Sequence, residues 1–109
     1  MTYVKINNTL YPAAINGKLS DHSWDDRDVK TIRLAMDVNT ASSLFVDDVH
    51  WSIVDEYLDE NAQTQSVEYD NSEYCVAGDI IDHRNGMISV KMGRATEKEI
   101  IDILMGGAV

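Results

Sequence analysis

Alternation of apolar and polar residues near the start of the chain predicts a β-hairpin. Residues 3–6 alternate, Asn7-Asn8 tolerates the positive φ of a tight turn, and residues 10–15 resume an apolar run. Pro12 falls within the second arm and has no N–H to donate. We therefore expect that arm to lie at a sheet edge or to be broken by a bulge.

Turn residues interrupt the pattern at Asn16-Gly17, and a second alternating segment begins at Val29. From Val29 onward one face carries apolar side chains, whereas the opposite face carries polar ones and Ala35. This arrangement is typical of a strand with one buried and one solvated face. The apolar face consists of Ile32, Leu34 and Met36.

Helical spacing replaces the alternation after this strand. Asn39 or Thr40 would cap a short helix over about residues 39–46, because both residue types favour the N-cap position. The apolar side of this helix consists of Ala41, Leu44 and Phe45.

A short strand with Trp51 and Ile53 on one face comes next, and Trp51 is expected in the core. Residues 55–66 then show few apolar groups and no clear period. Such a segment predicts an exposed, mobile loop.

The strongest local signal is Asn85-Gly86, which separates two apolar runs and predicts a hairpin with a two-residue turn. Closing that turn would pair Ile81 with Val90 and His83 with Ile88. The apolar face would then consist of Ile81, His83, Ile88, Val90 and Met92.

The last element is predicted to be a helix over about residues 97–105. Thr96 and Glu99 have the spacing of a capping box, and Gly106-Gly107 would end the helix. The whole pattern predicts a single α+β domain over residues 1–109. It would have about six mainly antiparallel strands, curled into an open barrel or roll and covered by the two short helices.

The charge of the chain disfavours nucleic acid as a partner. Nine basic and nineteen acidic residues give a net charge of −10, and affinity for phosphate backbones comes largely from Lys and Arg. The N-terminus shows no secretory signal and no run is long enough for a membrane span. We expect a protein made in the cytoplasm, with a virion as a second location, and no membrane partner.

Catalytic, metal and cofactor chemistry finds little support in the residues. Four acids and His22 crowd into residues 21–28, but an EF-hand loop starting at Asp21 would have Asp26 where glycine is required and Ile32 where glutamate is required. A weak metal site there stays open as an alternative. Phosphate-binding and nucleophile-elbow motifs are absent, so the expectation is no enzyme, no cofactor and no metal.

Two segments of the chain form a familiar pattern, GKLSDHSWDDRDVKTIRLAMD with TASSLFVDDVHWSIVDE, and EYDNSEYCVAGDIIDHRNGMISVKMGRATEKEIIDIL. They resemble small uncharacterised proteins encoded among the tail and virion-assembly genes of prophages in Gram-positive bacteria. The resemblance implies a structural or assembly role, such as a minor tail or baseplate component, in contact with other phage structural proteins or with itself. It carries no catalytic signature.

Aromatic residues, the types enriched at interface centres, are the candidate partner contacts together with two charged residues that lie next to Trp24 in the sequence. They are Trp24, Asp25, Arg27, Tyr57, Tyr69 and Tyr74. Trp24 lacks an apolar pattern around it, so we expect it to be partly exposed. An alternative function is an acidic host-takeover or anti-defence inhibitor, in which the charge would block a nucleic-acid-binding site.

Overall fold

A computed structural model describes residues 1–105, which form seven strands and two helices. The strands are β1 (Thr2–Ile6), β2 (Thr9–Asp21), β3 (Arg27–Leu34), β4 (Ser52–Leu58), β5 (Thr64–Asp70), β6 (Val76–Asp82) and β7 (Ile88–Gly93). The helices are α1 (Val38–Leu44) and α2 (Glu97–Leu104).

All neighbouring strands run antiparallel in one sheet with the order β5-β4-β1-β2-β3-β7-β6. The α+β class and the antiparallel sheet are thus confirmed. The predicted open barrel or roll is wrong, because β5 and β6 lie at opposite ends of the strand order and the sheet stays open.

The first hairpin forms as predicted, but its second arm is not an edge strand. Asn7 and Asn8 have φ values of 53° and 63°, and β2 lies in the middle of the sheet. Pro12 pairs only with Tyr3 of β1, whereas pairing with β3 begins one residue later at Ala13. Proline is therefore tolerated because it lies just before the second ladder begins.

The turn expected at Asn16-Gly17 does not form. Both residues lie inside β2 and pair with Thr31 and Lys30 of β3. Pairing with the neighbouring strand outweighs the local turn preference of the dipeptide, since strand formation depends strongly on context.

Buried side chains from both halves of the sheet form one core. The buried members are Val4, Ile6, Ile32, Leu34, Ala41, Phe45, Trp51, Ile88, Val90 and Met92. Ala41 and Phe45 join this core from α1 and the residue that ends it, as predicted. The helix begins earlier than expected, however, because the cap is Asp37, whose carboxylate accepts the Thr40 N–H at 2.7 Å.

The predicted loop over residues 55–66 is mostly strand. Residues 55–58 extend β4 and residues 64–66 begin β5, which leaves 59–63 as the connection. Every residue of β5 is exposed, so no core contact selected an apolar pattern there. This is why the seventh strand was not predicted from the sequence.

The β6–β7 hairpin has a longer turn than predicted, and its register differs by one residue. Ile80, not Ile81, is opposite Val90, and Ile81 is opposite Ser89. A shift of one residue moves each side chain of β6 to the other face. Ile80 therefore packs against the core, whereas Ile81 is exposed. His83 is also exposed and contacts the Ser89 hydroxyl at 2.7 Å.

Helix α2 begins with the predicted capping box but does not cover the sheet. Thr96 accepts the Glu99 N–H at 3.3 Å, and Glu99 accepts the Thr96 N–H at 2.8 Å. Its apolar residues stay in solvent, with Ile103 71% and Leu104 79% exposed. The predicted stop at Gly106-Gly107 lies outside the described residues.

Candidate interaction surface

A tight corner leads from β2 into β3, and its own side chains build it. The N–H and hydroxyl of Ser23 donate to Asp21 Oδ1 at 3.0 and 2.6 Å, which starts a single 3₁₀ turn over His22–Trp24. Asp25 and Asp26 then adopt left-handed φ values of 58° and 57°. Aspartate tolerates this region better than most residues, so the run of acids suits the corner conformationally.

Trp24 lies half-buried against β6 and β7, on the face of the sheet opposite the core. A Cβ atom added at Gly78 would lie 2.5 Å from Trp24 Cη2, and one added at Gly93 would lie 3.0 Å from Trp24 Cζ3. The two glycines thus make room for the indole ring. Partial exposure of Trp24 is confirmed, and its packing shows that it anchors the corner.

Arg27 is buried beneath this corner, and its guanidinium bonds to residues of the corner and of the segment around α2. Its Nη1 donates to Glu99 Oε1 at 2.9 Å and to the Arg94 carbonyl at 3.2 Å, and its Nε donates to the Trp24 carbonyl at 3.2 Å. Its Nη2 donates to Glu99 Oε2 at 3.2 Å and to Asp25 Oδ2 at 3.4 Å.

These five contacts match the five N–H donors that a guanidinium has. The group also lies 4.6 Å from the centre of the Trp24 ring. Hydrogen bonds from Thr96 and Arg27 hold the pKa of Glu99 below its usual value. Arg27 therefore joins the corner to the start of α2 and has no donor left over for a partner in this arrangement.

The acidic side chains of the corner form hydrogen bonds and ion pairs with other residues of the chain. Asp28 Oδ1 accepts the Ser20 N–H at 3.1 Å, its other oxygen lies 3.7 Å from the Arg94 guanidinium, and His22 contacts Asp26. Within residues 1–105, no three His, Cys, Asp or Glu side chains are grouped so as to hold a metal ion.

Several other aspartates close turns in the same way as Asp21. They are Asp37, Asp59 and Asp70. At Asp70, the Ser72 hydroxyl and then the Ser72 N–H lower the carboxyl pKa, through bonds of 2.6 and 3.0 Å. Much of the negative charge thus has a local structural role, at separate turns.

The hydrogen-bonded carboxylates of these four aspartates, Asp21, Asp37, Asp59 and Asp70, predict that the fold loses stability in acid. Their pKa values are lower in the folded state than the reference value of 3.8, so their contribution is full above that value and is lost as the pH falls through the folded pKa values. We expect the urea midpoint to fall below about pH 4. Asp37→Asn keeps a capping oxygen but cannot titrate, so its acid dependence should be shallower. A midpoint unchanged down to about pH 2.5 would contradict this account.

Tyr74 lies in the connection between β5 and β6 and contributes mainly to the interior. Its carbonyl accepts Trp51 Nε1–H at 3.0 Å, and the Lys30 ammonium lies 4.7 Å from its ring centre. Burial raises the pKa of the Tyr74 hydroxyl, and Glu73 adds to this effect. The half-buried ring leaves only a small part of its surface for a partner.

The β4–β5 hairpin carries the remaining two candidate contacts on one face. Strand register places Ile53 opposite Tyr69, Asp55 opposite Val67, and Tyr57 opposite Gln65, and directly opposed residues share a face. Tyr57 is 50%, Val67 37% and Tyr69 54% exposed. We call Tyr57, Val67 and Tyr69 the hairpin face.

The six predicted contact residues therefore separate into different places. Trp24, Asp25 and Arg27 form the corner beside β6 and β7, whereas Tyr57 and Tyr69 lie near the opposite end of the strand order. Sequence reasoning missed Val67, the third member of the hairpin face. The alternation of Val67 and Tyr69 was the available signal, but two residues are too few to establish a period of two.

No helix within the described part of the chain is long and apolar enough to cross a membrane. Comparisons of this chain with protein-family models, with curated proteins and with solved structures gave no match.

Proposed function

We propose that this protein works by protein–protein contact, as a structural or assembly component of a phage-type particle. The minor tail or baseplate setting is what the sequence resemblance implies. The observation that carries the contact role is the hairpin face, where two tyrosines and a valine lie exposed on an edge hairpin.

Several features of the molecule support a contact role. Tyrosine is enriched at the centres of interfaces, and an unpaired edge strand offers backbone donors and acceptors to a partner. Helix α2 presents a second uncovered apolar side at another position on the molecule. A component with two separate apolar surfaces suits an assembly of several chains.

The function is tested in the strain that carries the gene. Particles would be induced, purified on a density gradient and probed for this chain by quantitative mass spectrometry, alongside a strain in which the gene is deleted. A constant number of copies per particle supports a structural part. Failed assembly without incorporation supports an assembly factor. Normal particles that lack the chain would contradict both roles.

Two variants test whether incorporation or assembly depends on the hairpin face. Tyr57→Ser with Tyr69→Ser removes both exposed rings, and Leu19→Ser removes an exposed apolar side chain from β2. We expect the double variant to lose incorporation or assembly and the control to keep it. Equal behaviour of the two would place the contact elsewhere on the molecule.

The inhibitor alternative has less support from the geometry. A nucleic-acid mimic needs carboxylates arranged along one surface, whereas Asp37, Asp59 and Asp70 belong to separate turns. Displacement of DNA from a host enzyme by the purified protein at low salt would favour this alternative, since such competition weakens as salt rises.

A further inference from the structure

Strand β5 is an edge that lacks several of the usual protections against pairing, although it carries the two acids Glu68 and Asp70. It has seven residues, no proline, no lysine and no bulge in its register with β4. Natural edge strands are commonly blocked by such features. The opposite edge differs, because β6 has an irregularity between Ala77 and Ile80 and contacts α1.

The free backbone groups of β5 belong to alternate residues. The Asn71 N–H donates to the Trp51 carbonyl at 2.8 Å, and the Asp59 N–H donates to the Gln63 carbonyl at 2.9 Å. Hydrogen-bonded pairs alternate along an antiparallel ladder, so the odd-numbered residues of β5 bond to β4. The outward donors and acceptors belong to Thr64, Ser66, Glu68 and Asp70.

We infer that two copies of this chain pair through β5, antiparallel and related by a two-fold axis at Val67. Val67 is the middle residue of the strand, so this register uses its whole length. It places Ser66 opposite Glu68 of the second copy and Thr64 opposite its Asp70, which matches the outward-facing groups. The inference rests on the proposed contact function and specifies a partner for it.

Charge disfavours the neighbouring register that has its axis at Glu68. An axis at Glu68 would place that carboxylate opposite its own copy, and like charges in direct opposition are unfavourable. With the axis at Val67, each acid of β5 faces a hydroxyl residue. Lys5 Nζ also lies 3.0 Å from Glu68 Oε1 and holds the pKa of that carboxyl below its usual value.

The same register joins the two hairpin faces. Val67 meets Val67 of the second copy as a non-hydrogen-bonded pair, in which side chains approach closely. Gln65 then lies between Tyr57 of its own chain and Tyr69 of the second copy. Pairing thus covers the exposed apolar groups of both chains at the same time as their edges.

A second copy is favoured over an oppositely charged partner because the outward-facing residues of β5 pair with those of a second β5, each acid opposite a hydroxyl residue. Each chain has a net charge of −10, so two copies repel each other at long range, and added salt reduces that repulsion. We therefore expect dimerisation to strengthen as salt rises. A complex with a basic protein would instead weaken.

The central test is sedimentation equilibrium of the purified protein over a range of concentrations, with Val67→Lys and Val67→Thr. In the monomer the introduced lysine faces Asp55, so the hairpin stays compatible with folding. In the dimer it faces its own copy. We expect Val67→Lys to weaken dimerisation by about tenfold or more and Val67→Thr by about threefold at most.

Cross-linking tests the register directly, in a Cys75→Ser background that removes the native free thiol. Val67→Cys should form a disulfide-linked dimer with diamide, because Cα atoms of a non-hydrogen-bonded pair are close enough for the bond. Thr64→Cys is the control, since six residues of offset separate its two copies by about 20 Å.

Each outcome decides the inference. Salt-strengthened dimers that Val67→Lys weakens and that cross-link at position 67 support it. A monomer at all concentrations, a dimer unaffected by Val67→Lys, or a dimer that cross-links at position 64 instead would overturn it. A monomer that still enters the particle would overturn only the self-pairing and leave the proposed function standing.

Discussion

Replacing Trp51 by alanine is expected to lower the free energy of unfolding by about 3–5 kcal/mol, the usual cost of removing a large buried aromatic side chain. Trp51 is 1% exposed and is the largest of the fully buried side chains. Its backbone carbonyl accepts the Asn71 N–H at 2.8 Å, and its indole N–H donates to the Tyr74 carbonyl at 3.0 Å. The residue thus holds the connection between β5 and β6 as well as filling the core.

Urea unfolding followed by circular dichroism measures this change, and the melting temperature should fall by roughly 12–20 °C. Trp51→Phe is the matched control, because it retains most of the ring volume and loses the bond to the Tyr74 carbonyl. We expect it to cost about 1–3 kcal/mol. If Trp51→Ala were no more destabilising than Trp51→Phe, the packing role would be wrong.

Replacing Arg27 by methionine is expected to destabilise the fold by about 2–4 kcal/mol. Methionine can occupy much of the same space, but the carbonyls of Trp24 and Arg94 lose their donor. The side chain of Glu99 is partly exposed, so water can solvate it and the loss stays below that for a fully buried ion pair. The start of α2 also loses its attachment to the corner.

Two measurements separate these consequences. Urea unfolding reports the stability of the sheet, and amide hydrogen exchange at Ile100 and Ile103 reports the protection of α2. We expect Arg27→Met to lower both. Glu99→Gln is the control, because glutamine also completes a capping box while the ion pair is lost, at a cost of about 1 kcal/mol or less.

Protection of α2 that stays at the wild-type level in Arg27→Met would mean that the capping box alone holds this helix. Loss of protection in Arg27→Met together with near-normal protection in Glu99→Gln would instead show that the hydrogen bonds and packing of Arg27 matter more than the charge pair.

Local signals predicted the elements whose cause is local. The Asn7-Asn8 turn and the Thr96–Glu99 capping box form as expected, because each depends on residues a few positions apart. The alternation in β3 also held, with Ile32 and Leu34 buried. Their spacing alone shows that one face of the strand avoids water.

The candidate interaction surface could be predicted only in part from the sequence. The partial exposure of Trp24 was predicted. Its packing against Gly78 and Gly93 was not, because these residues are distant from Trp24 in the chain. The partner of Arg27, Glu99, is 72 positions away. Neither contact leaves a pattern within a short window of sequence, so neither could be predicted from spacing.

By itself, the sequence determined the α+β class, the first hairpin, the buried face of β3 and the cap of α2, because these follow from turn chemistry and from periods of two or 3.6 residues. Only the tertiary structure decided the seventh strand, the β6 register, the central place of β2 and the open edge at β5. These depend on which strand lies beside which. Pairing between distant segments, rather than local preference, sets the position of each in the sheet.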